Sequence, residues 1–221
     1  APAAIAENAD DVSFLTIRQL GKLLRDGKLT AVELAKQTID RLRVANESLN
    51  CVVNFTEELA LKQAAVADRE LSEGKDRGPL HGIPWGAKDL IAVKGYPTTW
   101  GAPQFQNQVL PRTATVAKKL EQAGTVLVAK MSLGALAMGD KWFGGQTRNP
   151  WNPQQGSSGS SAGSASAVAA GLLPFALGSE TLGSIVSPCK RCGVTGLRPT
   201  FGRVSRKDCM ALSWTMDKIG P

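Results

Sequence analysis

The feature that most constrains this chain is a run of small residues that does not behave as a linker. Residues 155–166 are dominated by Gly, Ser and Ala, a composition that alone would suit a flexible connection. Yet 164–173 continues without interruption into Ala, Val and Leu, and a second Gly/Ser cluster, 178–187, follows another apolar stretch. A helix of small residues lets neighbouring elements approach closely, and small-residue turns on either side let backbone come near a ligand. The expectation is a site built between two such turns.

Upstream, helical and strand patterns alternate. Leu15, Leu20, Leu23 and Leu24 recur at helical spacing and Gly27 interrupts them. Thr30 with Glu33 then forms a capping box ahead of Val32, Leu34, Ile39 and Leu42. A short strand is expected over 50–55, an Ala-rich helix over 57–71 stopped by Gly74, and a strand within 80–93 that carries Lys88. A helix over 115–123 and a β-branched strand over 125–130 follow. This alternation argues for an α/β sheet protein, and 221 residues suffice for one large domain of that class. No apolar run is long enough to span a bilayer. The net charge of +7 is dispersed with no dense basic block, which suits a solvated surface and not a nucleic-acid site. Cys189 and Cys192 form one C-x-x-C without a second pair at zinc-site spacing, so neither a metal nor a cofactor is expected.

A single histidine narrows the chemistry. His81 lies between turn formers in Pro79-Leu80-His81-Gly82-Ile83-Pro84, which suits a structural or surface role better than a Ser-His-Asp triad. Three serine patterns compete. Gly159-Ser160-Ser161-Ala162-Gly163 fits a nucleophile elbow, but the Pro- and Asn-rich residues 149–155 before it cannot form the central strand that motif needs. Ser187-Pro188-Cys189-Lys190 fits S-x-x-K, but its companion motifs are missing and a second S-x-x-K occurs at Ser72. The third pattern is a lysine base with two serines drawn from separate Gly-rich turns.

These same segments carry a resemblance. Gly159-Ser160-Ser161-Ala162-Gly163-Ser164-Ala165-Ser166-Ala167, then Gly178-Ser179-Glu180-Thr181-Leu182-Gly183-Ser184-Ile185, then Gly193-Val194-Thr195-Gly196-Leu197-Arg198-Pro199, are similar in order and spacing to the amidase signature family. Gly82-Ile83-Pro84-Trp85-Gly86-Ala87-Lys88-Asp89 resembles that family's lysine motif. The resemblance implies a mixed twisted β-sheet sandwiched between α-helices and hydrolysis of a carboxamide through an acyl-enzyme. It implies Ser184 as nucleophile, Ser160 as a bridging serine after a cis peptide, and Lys88 as base. Backbone N–H groups of Thr181, Leu182, Gly183 and Ser184 would form the oxyanion hole. A stretch that includes Leu133, Leu136, Ala137 and Met138 resembles one near the family's acyl pocket. Lysine can act as a base only when neutral, and Lys88 among Ile83, Trp85, Ala87, Leu90 and Ile91 suits the burial that neutralises it.

There are departures too. The family commonly has Asp at the place of Glu180, Gly at Leu182 and Arg at Val186, so the local ion pair between the acid and that Arg is expected to be absent. The expected substrate is a small amide; esters, carbamates and the ammonia-generating subunit of a tRNA-dependent amidotransferase are the alternatives, as is a non-catalytic protein that keeps the fold. Residues 1–13 are expected to be an N-terminal extension and 14–221 the N-terminal part of the amidase signature domain, with the rest of the enzyme as its partner. Homo-oligomerisation and the compartment, cytoplasmic or exported, stay open.

Overall fold

The computed structural model describes residues 12–221. The anticipated extension over 1–13 therefore falls, apart from Val12 and Ser13, outside the described residues. Helices α1 (Ile17–Arg25) and α2 (Ala31–Leu49) both begin at capping boxes, Thr16 with Gln19 and Thr30 with Glu33. Strand β1 (Val52–Phe55), helix α3 (Glu57–Ser72) and strand β2 (Pro84–Lys88) follow, then α4 (Thr115–Gln122) and β3 (Val126–Met131). Two hairpins come next, β4 (Lys141–Trp142) with β5 (Gly145–Gln146) and β6 (Arg148–Asn149) with β7 (Asn152–Gly156). Helix α5 (Ala162–Ala169), strand β8 (Ala176–Glu180), helix α6 (Val186–Cys192) and strand β9 (Lys218–Gly220) complete the chain.

Five strands form one mixed sheet in the order β1-β3-β2-β8-β9. The inner strands β3, β2 and β8 run parallel, and the edge strands β1 and β9 are antiparallel to their neighbours. Both faces are covered. Val126, Val128 and Met131 pack with α1, α2, α3 and Ala167 of α5 on one side. Trp85, Ala87 and Leu127 pack with Leu90, Ala117, Leu133 and Ile219 on the other. This two-faced burial is why β2 and β3 read as continuous apolar runs and not as alternating ones.

The expected turn at 178–187 is partly a strand. Gly178, Ser179 and Glu180 continue β8, fully buried, and only the residues beyond them turn into α6. Small residues are needed there because α5 lies so close: a Cβ on Gly178 would stand 2.6 Å from Ser161 Oγ. Helix α5 itself is pressed onto the sheet, since a Cβ on Gly163 would meet Cys51 O at 2.2 Å and Ser132 N at 2.5 Å. Among the described residues, no helix is long and apolar enough to cross a membrane.

Candidate active site

Lys88 is the last residue of β2, at the carboxyl end of the parallel strands, where open α/β sheets place their ligands. Strand alternation turns Trp85 and Ala87 into the core on one face, and Lys88 projects on the other, towards the start of α5. Its side chain is fully buried. Nζ lies 2.7 Å from Ser160 Oγ, 3.0 Å from Ser161 Oγ, 2.9 Å from Ser179 Oγ and 3.2 Å from Ser179 O. No carboxylate among the described residues pairs with it. Burial lowers its pKa from 10.5 to about 7, against the opposing pull of the Asp217 and Glu180 charges. A near-neutral amine in hydrogen-bond contact with a hydroxyl can accept that hydroxyl's proton at ordinary pH.

Ser160 is buried at the far side of a cis peptide from Gly159, immediately before α5. Ser161 links the surrounding elements. Its Oγ donates to Ser179 O at 3.1 Å and accepts from Ser179 N at 3.1 Å, while its N–H donates to Ser184 O at 3.0 Å. The two small-residue turns are thereby tied together, with Lys88 beneath them. Ser184 is half-buried, and its hydroxyl makes no hydrogen bond among the described residues. Across the turn from Thr181 to Ser184, Gly183 takes φ +87°, a region that side-chain-bearing residues avoid. The Leu182 side chain is 77% exposed beside it.

The turn has a buried acid under it. Glu180 Oε2 accepts from Ile185 N at 2.8 Å and Val186 N at 2.9 Å, and Oε1 pairs with Arg198 Nη1 at 3.1 Å. Burial pushes the Glu180 carboxyl up, but the N–H groups of Val186, Ile185 and Gly183, with Arg198, outweigh it and hold the pKa low. The local pair between positions 180 and 186 is absent, as anticipated, and Glu180 pairs with the more distant Arg198. Val186 supplies no charge and meets Glu180 only through its backbone N–H. Just past Lys88, Asp89 and Lys130 form a fully buried pair at 2.6 Å, and Asp89 also accepts from Thr99 N and Oγ1. This anchors the chain that leaves the lysine.

The structure thus gathers Lys88, Ser160 and the Thr181–Ser184 turn into one place. The four candidate pocket residues are divided. Leu133 and Ala137 are buried in the core, whereas Leu136 and Met138 are exposed. Their segment does adjoin Ser160: a Cβ on Gly159 would stand 2.0 Å from Gly139 O. His81 lies elsewhere, buried, with Nδ1 accepting from Arg77 N and Nε2 3.2 Å from Glu70, a structural role. Ser161, Ser179 and Asp217 belong to the site's surroundings, and the sequence alone does not single them out. Only the adjacency of Ser161 to Ser160 hints at one of them.

Comparison with known proteins agrees with this architecture. The family model described as Amidase matches residues 33–221. A glutamyl-tRNA(Gln) amidotransferase subunit from Coxiella burnetii (strain RSA 493 / Nine Mile phase I) is 41% identical over 209 residues, 93% of this chain and 43% of the relative. The native peptide amidase from Stenotrophomonas maltophilia superposes with a TM-score of 0.85 at 34% identity, over 93% of this chain and 44% of that one. Fatty acid amide hydrolase gives a TM-score of 0.84 at 32% identity, over 90% and 36%. The chain thus spans less than half the length of these proteins, and over that span it belongs to the amidase family.

Proposed function

We propose that the protein hydrolyses a carboxamide bond through an acyl-enzyme on Ser184, with Ser160 as proton bridge and Lys88 as base. The observation that carries this reading is the buried Lys88 amine, brought near neutrality and 2.7 Å from the Ser160 hydroxyl. Ser184 Oγ attacks the carbonyl carbon as its proton passes to Ser160, whose own proton passes to Lys88. The carbonyl oxygen becomes an oxyanion that the N–H groups of the Thr181–Ser184 turn receive. Gly183 N–H also favours the Glu180 carboxylate, which leaves Thr181, Leu182 and Ser184 to supply the other donors. The relay then runs backwards: the C–N bond breaks, the amine leaves with the proton from Lys88, and water releases the acid by the same path. The proton passes along a hydrogen bond that Ser184 donates to Ser160 in the substrate complex. Exposed Leu136 and Met138, in the segment that adjoins Gly159 through Gly139, favour an apolar acyl group. In this reading residues 14–221 are one structural unit that the remainder of the enzyme completes.

The test is hydrolysis of a panel of primary amides by the purified protein and by Ser184→Ala and Lys88→Ala. Each variant should lose on the order of a thousandfold or more in kcat. Retention of wild-type rates by either would remove its residue from the mechanism. A second reading, the ammonia-generating component of a tRNA-dependent amidotransferase, is favoured by the 41% identity to a subunit of that kind. It predicts glutaminase activity that appears only with partner subunits and tRNA. The Glu180, Leu182 and Val186 departures favour the free-standing amidase.

A further inference from the structure

Strand β9 is short and sits at the sheet edge, yet the residue just before it, Asp217, reaches the turn that leads to Ser184. Its register on β8 sets Glu180 opposite Lys218 and Ser179 opposite Ile219, and Thr181 and Asp217 are the residues just beyond those strand ends. Asp217 is buried. Its Oδ1 accepts the Thr181 hydroxyl at 2.5 Å, and its Oδ2 accepts Leu212 N at 2.8 Å and Ser213 N at 3.0 Å. Lys218 Nζ holds the Thr181 carbonyl at 3.1 Å. The first residue of the turn is thus gripped at both its side chain and its backbone by one segment from the end of the chain.

The charges around Lys88 are unevenly matched. Glu180 is ion-paired with Arg198, and Asp89 with Lys130. Asp217 is in no ion pair among the described residues; its partners are neutral hydrogen-bond donors. We propose that Asp217 is a positioning residue, fixing the turn before Ser184 through the Thr181 hydroxyl and supplying an unpaired negative charge that acts on Lys88. It touches no reacting atom and acts only through Thr181 and Lys88, so this inference rests on the Lys88–Ser160–Ser184 reading. The direction of its electrostatic effect is set by sign: a nearby carboxylate favours the charged amine, so Asp217 raises the Lys88 pKa that burial lowers.

The test is the rate of Ser184 labelling by a fluorophosphonate as a function of pH, in the intact protein and two variants. Labelling needs neutral Lys88, so its rate falls on the acid side with a midpoint at the Lys88 pKa. Asp217→Asn keeps shape and most hydrogen bonds but removes the charge, and its midpoint should move down by about half a pH unit or more. Thr181→Val keeps the charge but loses the grip; its plateau rate should fall about tenfold with the midpoint unmoved. An Asp217→Asn midpoint equal to wild type overturns the electrostatic role, because a merely structural residue would change rate without moving it. A Thr181→Val plateau within about twofold of wild type overturns the positional role, and decides the matter alone if Asp217→Asn does not fold. Equal labelling of Ser184→Ala and wild type would instead overturn the triad reading, and this inference with it.

Discussion

Replacing Lys88 by methionine should make the folded protein more stable at neutral pH. Lys88 is fully buried, and burial holds its pKa near 7 in place of 10.5. Unfolding restores ordinary lysine, so between those two values the unfolded chain binds more protons than the folded one. Wild-type stability must therefore rise with pH across this window, by about 1.4 kcal/mol for each pH unit. At pH 7 and below, the amine carries the whole penalty, on the order of 5 kcal/mol. Methionine of similar length removes that penalty but forfeits the bonds to Ser160, Ser161 and Ser179, worth about 1 kcal/mol each. The net expectation near pH 7 is a gain of roughly 1–2 kcal/mol. Urea unfolding of both proteins from pH 7 to pH 10 measures it, and titrating groups that do not interact with Lys88 cancel in the difference. The advantage of Lys88→Met should shrink with pH and reverse sign before the top of the range. Parallel stability curves would refute the claim that burial neutralises Lys88.

Three further outcomes follow from the same geometry. Lys130→Ala strands the Asp89 carboxylate in the core and should cost about 3–5 kcal/mol in urea unfolding, far more than loss of any surface pair. Gly163→Ala, which in an exposed helix would stabilise, should instead destabilise by about 1–3 kcal/mol, because the new Cβ meets backbone atoms of Cys51 and Ser132. Glu180→Asp shortens the acid so that it cannot reach both Arg198 and the Ile185 and Val186 N–H groups; kcat should fall about tenfold or more, and adding Val186→Arg should restore most of it.

The helices and strands before residue 131 are legible because each buries a periodic or continuous apolar set and starts or stops at a recognisable cap, as at Thr30 and Glu33. Strand β8 is harder. Its Gly178 and Ser179 have the composition of a turn, and only the closeness of Ser161 explains why a central strand needs residues so small. The two-residue hairpin strands and β9 carry too few side chains for any periodicity to register. At the site, the burial of Lys88 can be read from its apolar neighbours, and the role of His81 from its turn-rich setting. The company that Lys88 keeps cannot. Ser161 and Ser179 stand 73 and 91 positions away, and Asp217 reaches the turn only because an edge strand pairs in one particular register. The Arg198 pairing escapes the sequence for a related reason, since Arg198 stands 18 positions from Glu180 and the family resemblance points only to position 186.

Mass-spectrometric mapping of the fluorophosphonate adduct tests the central claim most directly. The account predicts a single adduct on Ser184, formed on the basic side of pH 7 and abolished by Lys88→Ala. An adduct on another serine, or unchanged labelling of Ser184 without Lys88, would contradict it.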